Sequence, residues 1–270
     1  MTSPTDGLPR IRAARLEAPE EQPLLPRLSG AASLRAELET LLAAAPPDAT
    51  PTVYRQLVLS ENVAGKRSGS AQMWLWKRIK LRYVLDLNVP EFQAFLYGMR
   101  AATSTDERGL LCFLMLGRTD RLFREVVLEC VSPFLDEPGR EIKADDINQA
   151  VRRRAGLSGR SGKEWSENTF NRTHKHLLTS LKDFGVLIGS NVKRTARPRP
   201  GGQTALFAAR LARLQGLTDR QILESDWFKQ LGLNADRAVD LLYVANRSGA
   251  LGFKMQADVV EVTLPPLEAA

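Results

Sequence analysis

Hydrophobic residues recur every three to four positions along most of the chain, which is the spacing of one buried helix face. In the first half, this spacing predicts helices over residues 31–45, 70–85, 90–100, 107–116 and 120–135. Within the second of these helices, the residues expected to face the core are Met73, Trp76, Ile79 and Tyr83. The pattern therefore predicts a helical N-terminal half with one buried face on each helix.

Two helices and a basic hairpin follow, in the order of a winged helix-turn-helix. The first helix starts at Asp145, whose carboxylate can cap the first turn, and it ends at Gly156. A turn rich in Gly and Ser over residues 157–163 leads to the second helix. A short strand over 186–188 and a loop over 191–200 form the expected wing.

The second helix of this pair has the clearest start. Ser166 is a good N-cap residue, and Trp165 and Phe170 are placed to close over it as a hydrophobic staple. Gly185 ends the helix. The apolar face continues from Phe170 through His174, Leu177, Leu178, Leu181 and Phe184. The opposite face carries polar and basic side chains, namely Asn168, Asn171, Arg172, Lys175, Thr179 and Lys182.

The order of helix, helix and hairpin recurs near the C-terminus. Helices are predicted over residues 204–214, 219–230 and 235–248, and paired strands over 251–254 and 259–264. This second unit is much less basic than the first. We therefore interpret it as a docking or dimerisation element, through which the protein could form an oligomer.

Charge is concentrated in the first of these units. The whole chain has 38 Lys and Arg against 31 Asp and Glu, a net charge of +7. Residues 142–200 have 13 basic residues against 5 acidic ones and so hold all of the excess. A positive surface favours an anionic partner, and Asn, Arg and Lys near a helix start suit the major groove of duplex DNA.

The predicted nucleic-acid contacts therefore fall into two sets in this unit. The helix contributes Asn168, Asn171, Arg172, Lys175 and Lys182. The wing contributes Lys193, Arg194, Arg197 and Arg199, which suit the flanking phosphates. The alternative is a plain helical pair with a solvated charged face.

A second basic region extends over residues 52–87. Its candidate nucleic-acid contacts are Lys66, Arg67, Lys77 and Arg78, which alternate with aromatic residues such as Trp74 and Trp76. Aromatic and basic side chains together can hold a nucleic-acid backbone. The alternative for this region, which we favour for the stretch taken alone, is that the aromatics are core and the charges solvated.

Catalytic patterns are scarce. The sequence has no Gly-rich phosphate loop, and His174 and His176 are two positions apart on a helix, so they point to different faces. Residues 136–143 weakly resemble the acidic pattern of metal-dependent nucleases, but they fall in a predicted Pro/Gly loop before a helix. We therefore expect no enzymatic activity, no metal site and no cofactor.

Hydropathy and cysteine usage bear on location. The longest uncharged apolar run, 109–117, is about half of what a bilayer span needs, and the first 30 residues have no continuous apolar stretch. Cys112 and Cys130 lie in apolar helical patterns and are expected to be small core residues in a reducing compartment. We expect a soluble cytoplasmic protein that does not bind a membrane.

The expected domain organisation follows from these segments. Residues 1–30 contain five prolines and no sustained repeat, so a flexible tail is predicted there. An N-terminal helical domain over 31–135, the basic winged unit over 136–200 and the C-terminal unit over 201–270 would follow. The predicted fold class is all-α, with winged helix-turn-helix-like units and two short β-hairpins.

Several stretches resemble, in order, the BrxA family of BREX phage-defence systems. They are ENV at 61–63, KRS at 66–68, WKRIK at 76–80, LFREV at 122–126, WSENT at 165–169, LKDFGVL at 181–187, GAL at 249–251 and DVV at 258–260. Where the family has Ser-Thr-Arg after Trp-Ser-Glu, this chain has Asn168, Thr169 and Phe170, and its Pro-rich start is unusually long.

The resemblance implies a small, mostly helical, non-enzymatic DNA-binding component of a multiprotein defence system, with other BREX proteins as possible partners. Two other functions stay open on the residues alone. One is an RNA-binding helical protein of the antitermination-factor type, because a basic helical surface does not by itself choose between nucleic acids. The other is an assembly adaptor whose charges are incidental.

Overall fold

The computed structural model describes residues 16–156 and 165–267. Its fold is mainly helical with two small antiparallel sheets, which confirms the predicted fold class. The N-terminal helices are α1 Arg35–Ala44, α2 Pro51–Leu59, α3 Gly69–Tyr83, α4 Pro90–Ala101, α5 Thr105–Thr119 and α6 Arg121–Cys130. Short 3-10 helices precede α1, at Arg27–Gly30, and follow α6, at Ser132–Phe134.

The remaining elements lie in two groups. The first group is β1 Glu141–Ile142, α7 Ala144–Gly156, α8 Glu167–Asp183, β2 Leu187–Ile188 and β3 Lys193–Thr195. The second group is α9 Gly202–Leu214, α10 Asp219–Leu223, α11 Asp226–Gln230, α12 Ala235–Arg247, β4 Gly252–Gln256 and β5 Val259–Thr263. The first group's sheet has the order β1-β3-β2, and β4 pairs with β5 alone.

Several element predictions need correction. No helix was predicted between residues 45 and 70, but α2 lies there and starts at Pro51, whose missing N–H has no helical partner to lose. The predicted helix over 120–135 ends at Cys130, and Pro133 lies in the following 3-10 turn. The predicted helix over 219–230 is two short helices, α10 and α11. The turn predicted over 157–163 lies outside the described residues.

The loops predicted around the first hairpin also contain strands. Residues 136–143, predicted as a loop, include β1, and the loop predicted over 191–200 includes β3. In the antiparallel β1–β3 pair, Glu141 is opposite Arg194 and Ile142 is opposite Lys193. These strands are only two and three residues long, and they are stabilised by pairing with each other. Because such short strands show no alternating pattern, the local sequence did not predict them.

Buried side chains from all three predicted structured units form one continuous core. Phe113 on α5, Phe123 on α6 and Phe184 after α8 have ring centroids 5.9 to 6.3 Å apart. Cys112 is fully buried, and this burial raises the pKa of its thiol to about 12. Cys130, also predicted as core, is half-buried. The basic unit is therefore anchored through the end of α8 to the N-terminal helices.

Residues 16–30 pack against this body, whereas the sequence predicted a flexible tail as far as residue 30. Leu24 and Leu28 are buried, and the guanidinium of Arg124 donates to the Pro19 carbonyl oxygen at 2.7 Å. Arg121 donates to the Glu20 carbonyl oxygen at 2.6 Å. Residues 16–26 have no helix or strand, and several of their main-chain carbonyl oxygens accept hydrogen bonds from arginines. Hydrophobic periodicity cannot predict such a pattern. Residues 1–15 of the predicted tail lie outside the described residues.

Candidate nucleic-acid interface

The interface candidate is the segment from α6 to β3. Helix α7 packs against both α6 and α8, and β2 and β3 follow α8 directly. The order is helix, strand, helix, helix, strand, strand, and β3 lies between β1 and β2 in the sheet. In this arrangement, α8 buries one face against the protein and leaves its other face exposed.

Helix α8 starts as predicted. The Ser166 hydroxyl oxygen accepts a hydrogen bond from the Thr169 amide at 3.2 Å, which confirms the N-cap. The Trp165 and Phe170 ring centroids are 5.4 Å apart, which confirms the hydrophobic staple. Arg152 of α7 strengthens this start, because its guanidinium lies 4.5 Å from the Phe170 ring centroid and donates to both Glu167 carboxylate oxygens, at 2.8 and 2.6 Å.

The two faces of α8 also follow the prediction. Leu177, Leu178, Leu181 and Phe184 are buried, while Phe170 and His174 at the first turns are half-buried. Burial lowers the pKa of His174 below its ordinary value, and the nearby Lys175 and Arg152 charges lower it further. The predicted contact residues on the opposite face are all exposed, namely Asn168, Asn171, Arg172, Lys175 and Lys182.

The acidic residues at the two ends of α8 have partners. Glu167 binds Arg152, and Asp183 accepts a hydrogen bond from the Ser33 hydroxyl at 2.6 Å. Among the described residues, no ion pair involves Arg172, Lys175 or Lys182. The exposed face of α8 therefore keeps its positive charge.

The 3-10 helix Arg27–Gly30 packs along one side of α8. The His176 Nδ1 atom lies 2.7 Å from the Leu28 carbonyl oxygen, and Thr173 and Ser180 are fully buried on the same side. Sequence analysis missed this support because residues 27–30 have no helical repeat. It therefore supports α8 in addition to the staple.

The wing is a tight hairpin that requires a glycine. Gly189 has a φ of +92°, and a Cβ there would collide with the Val192 carbonyl oxygen. The Lys193 ammonium donates to the carbonyl oxygens of Gly189 and Ser190, and Arg194 donates to the Gly139 carbonyl oxygen at 3.0 Å. These two predicted contacts thus brace the hairpin as well.

The remaining wing contacts are more open. Arg197 and Arg199 are exposed, and within the described residues no ion pair involves either of them. The hairpin also exposes Ile188 and Val192, which are 53% and 45% accessible. The sequence did not indicate their exposure, because the strand predicted over 186–188 is too short to show which of its residues is exposed, and Val192 is a single hydrophobic position in a turn.

The arginines at the end of α7 do not add to the basic surface. Arg153 binds Glu129, and Arg154 binds Glu125 at 3.0 Å and Glu129 at 2.8 Å. Although burial raises the pKa of Glu129, the hydrogen bonds from these two arginines bring it below its ordinary value. Among the described residues of this unit, most cations without an acidic partner therefore lie on α8 and the wing.

The second predicted set lies on α3 and the loop before it. Lys66 binds Glu37 at 2.9 Å, and the Arg78 guanidinium lies against Gly30, where a Cβ would collide with it. Arg67 and Lys77 are exposed. Met73, predicted as core, is 36% accessible, because α3 packs against α2 and α5 through a neighbouring face.

Two properties of the described residues bear on catalysis and on membranes. Within residues 16–156 and 165–267, no group of three or more His, Cys, Asp or Glu side chains could hold a metal ion. Glu141 of the acidic pattern is exposed on β1, opposite Arg194. In the same described ranges, no helix is long and apolar enough to cross a membrane.

Comparisons with known proteins give one family. No curated protein matches the chain. The model of the BrxA family matches residues 27–200, which is well over half of the chain. The matched region begins at the 3-10 helix that supports α8 and includes α3, α8 and the wing. The chain therefore belongs to the BrxA family.

Proposed function

We propose that this protein binds duplex DNA through α8 and the β2–β3 wing, without catalysing a reaction. Membership of the BrxA family implies a component of a BREX phage-defence system. The DNA interaction would be its contribution to that system.

The order of elements from α6 to β3 carries this proposal. A winged helix-turn-helix has a helix, a strand, two helices and a two-stranded wing, with the first strand paired to the last one. The order α6-β1-α7-α8-β2-β3 and the sheet order β1-β3-β2 match that arrangement. In such units, the second helix of the pair enters the major groove, and here that helix is α8.

The side chains on α8 and the wing support the same interaction. Asn168, Asn171 and Arg172 are exposed near the start of α8 and are residue types that bind base edges. Lys175 and Lys182 extend the positive face. Arg197 and Arg199 on the wing suit phosphates on either side of the groove. Since cationic side chains outnumber amide side chains on this surface, we expect phosphate contacts to dominate and sequence selectivity to be weak.

A competition gel-shift experiment tests this function. The protein is bound to labelled duplex DNA and challenged with duplex DNA, duplex RNA and single strands of the same sequence. The proposal expects duplex DNA to compete best, and Arg172→Ala with Lys175→Ala to weaken the shift. Stronger competition by RNA would instead favour the antitermination-type function, and no shift at low salt would favour the adaptor.

A further inference from the structure

Helix α3 has apolar side chains on two faces. Its inner face buries Leu75, Ile79 and Tyr83. Its outer face exposes Met73, Trp74 and Leu81, which are 36%, 41% and 40% accessible. The spacing from 73 to 81 keeps these side chains on one side over two helical turns, about 12 Å along the axis.

The outer face is more than a set of scattered surface residues. Met73, Trp74, Lys77 and Leu81 line one open surface on this side of α3. Large apolar side chains exposed together on a surface commonly mark an interaction site. Because the inner face already supplies the packing of α3, the three outer side chains are not needed for it.

The charges around this face have one sign. Between Glu61 and Asp86 the sequence has no acidic residue. Arg67, Lys77 and Lys80 are exposed in this interval. A partner that covers the apolar stripe would therefore meet only positive side chains from α3 and its preceding loop, so its own margin should be negative.

We propose that the outer face of α3 docks an acidic amphipathic helix of another protein. Met73 and Trp74 lie two helical turns from Leu81, a separation that anchors at positions i and i+7 of such a helix can span. Carboxylates on its margins would face Lys77 and Arg67. This surface is independent of the proposed DNA interface, which uses α8 and the wing.

Other occupants fit this face less well. A single-stranded nucleic acid would stack on Trp74, but Met73 and Leu81 have no aromatic plane for further bases. The chain's own first 15 residues contain Arg10, Arg12 and Arg15 against one acidic residue, and so have the same sign as the face. An acidic amphipathic helix satisfies both the apolar stripe and the charge.

Fluorescence anisotropy of a labelled synthetic peptide tests the proposal with the full-length protein. The probe is a Leu/Ala/Glu helix of about 18 residues with leucines at the anchor spacing, and its control has the same composition in scrambled order. We expect the amphipathic peptide to bind at least tenfold more tightly than the scrambled one. Trp74→Ala and Leu81→Ala should each reduce binding about tenfold.

Three further variants make the result specific. Val244→Ala on α12 removes an equally exposed apolar side chain, 42% accessible, and should leave peptide binding unchanged. The double variant Arg67→Glu with Lys77→Glu should no longer bind the Glu peptide. It should instead bind a peptide that has Lys in place of Glu. Arg172→Ala with Lys175→Ala should bind the peptide as the unchanged protein does, even where duplex DNA binding is lost.

Several outcomes of these experiments would contradict the proposal. Absence of binding, or equal binding to all variants, would overturn the proposal. Displacement of the peptide by a single-stranded oligonucleotide in a Trp74-dependent manner would assign the face to nucleic acid. A dimer in sedimentation velocity that Trp74→Ala abolishes would assign it to a second copy of the chain.

Discussion

His174 is the residue whose environment makes stability depend on pH. It is half-buried on α8, and burial lowers its pKa below the ordinary value of 6.5. Between the lowered pKa and about 6.5, the unfolded chain binds more protons than the folded one. The stability that depends on neutral His174 is therefore fully present above the pKa of the unfolded chain, about 6.5. It is lost as the pH falls from there through the lower pKa of the folded protein.

His174→Gln should reduce this acid sensitivity. The free energy of unfolding of the unchanged protein should fall more steeply below pH 6.5 than that of the variant, because the variant has no imidazole to protonate. Urea unfolding at several pH values between about 4.5 and 7.5 measures both slopes. Parallel curves would show that burial of His174 has no such consequence.

Trp165 makes the staple that starts α8, and its ring is half-buried against Phe170. Trp165→Ala should lower the free energy of unfolding by about 1–2 kcal/mol, less than for a fully buried ring. Trp74→Ala is the matched control, since Trp74 is exposed, and its effect should stay within about 0.5 kcal/mol. Equal effects in urea unfolding would contradict the role of the staple.

Such local features were predictable from sequence. The Ser166 cap and the Trp165–Phe170 contact depend on residues a few positions apart, and both are present. The placement of Met73 was wrong because it depends on how α3 meets α2 and α5, which a single helical repeat does not specify. Exposed α8 residues were predicted from the opposite polar face, and their role in DNA binding stays a prediction.

At the scale of elements, substitutions on α8 and on the wing should weaken DNA binding in different ways. Arg197→Ala with Arg199→Ala should weaken binding to all duplexes and flatten the salt dependence by about one unit per lost phosphate contact. Arg172→Ala with Lys175→Ala should also remove any sequence preference, because these side chains would lie in the groove. Titrations with several duplexes at several salt concentrations distinguish the effect of the α8 substitutions from that of the wing substitutions.

The same titrations have a built-in control. Arg153 already binds Glu129, so Arg153→Ala should leave the salt dependence nearly unchanged. If the α8 and wing variants both retain full affinity, DNA binding must use another surface. The set on α3 would then be tested next for nucleic-acid binding.

The 3-10 helix Arg27–Gly30 allows a prediction about the support of α8. Leu28 is buried, and its carbonyl oxygen lies against His176. Leu28→Ala should cost about 2–4 kcal/mol of unfolding free energy through the cavity it leaves. Leu25 is half-buried and lies just before this 3-10 helix, so Leu25→Ala should lower the unfolding free energy clearly less. Thermal unfolding of both variants measures the difference.

Elements that depend on partners distant in sequence were missed. Strand β1 has two residues and pairs with β3, about 50 positions later.

Helix α2, by contrast, could have been predicted from Thr50 and Pro51 at its start, since the Thr50 hydroxyl accepts a hydrogen bond from the Val53 amide. The predicted domain boundaries at 135 and 200 remain predictions.

At the scale of the whole molecule, the protein holds its basic unit against a helical body through one core. Phe184 at the end of α8 packs with Phe113 and Phe123 of the N-terminal helices, and α5 also packs against α9. The fold class followed from hydrophobic spacing, but the packing of residues 16–30 did not, because arginine contacts to main-chain carbonyls leave no periodic pattern. If α8 and the wing bind DNA as proposed, this packing would place both of them on one duplex.

The dependence of duplex DNA affinity on salt tests the central claim most directly. If α8 and the wing contact about five to eight phosphates, a plot of log affinity against log salt should have a slope near −5 to −7. Such a slope, reduced in the α8 and wing variants, is the result that the proposed interface predicts. A slope shallower than about −2 would contradict binding through these phosphate contacts.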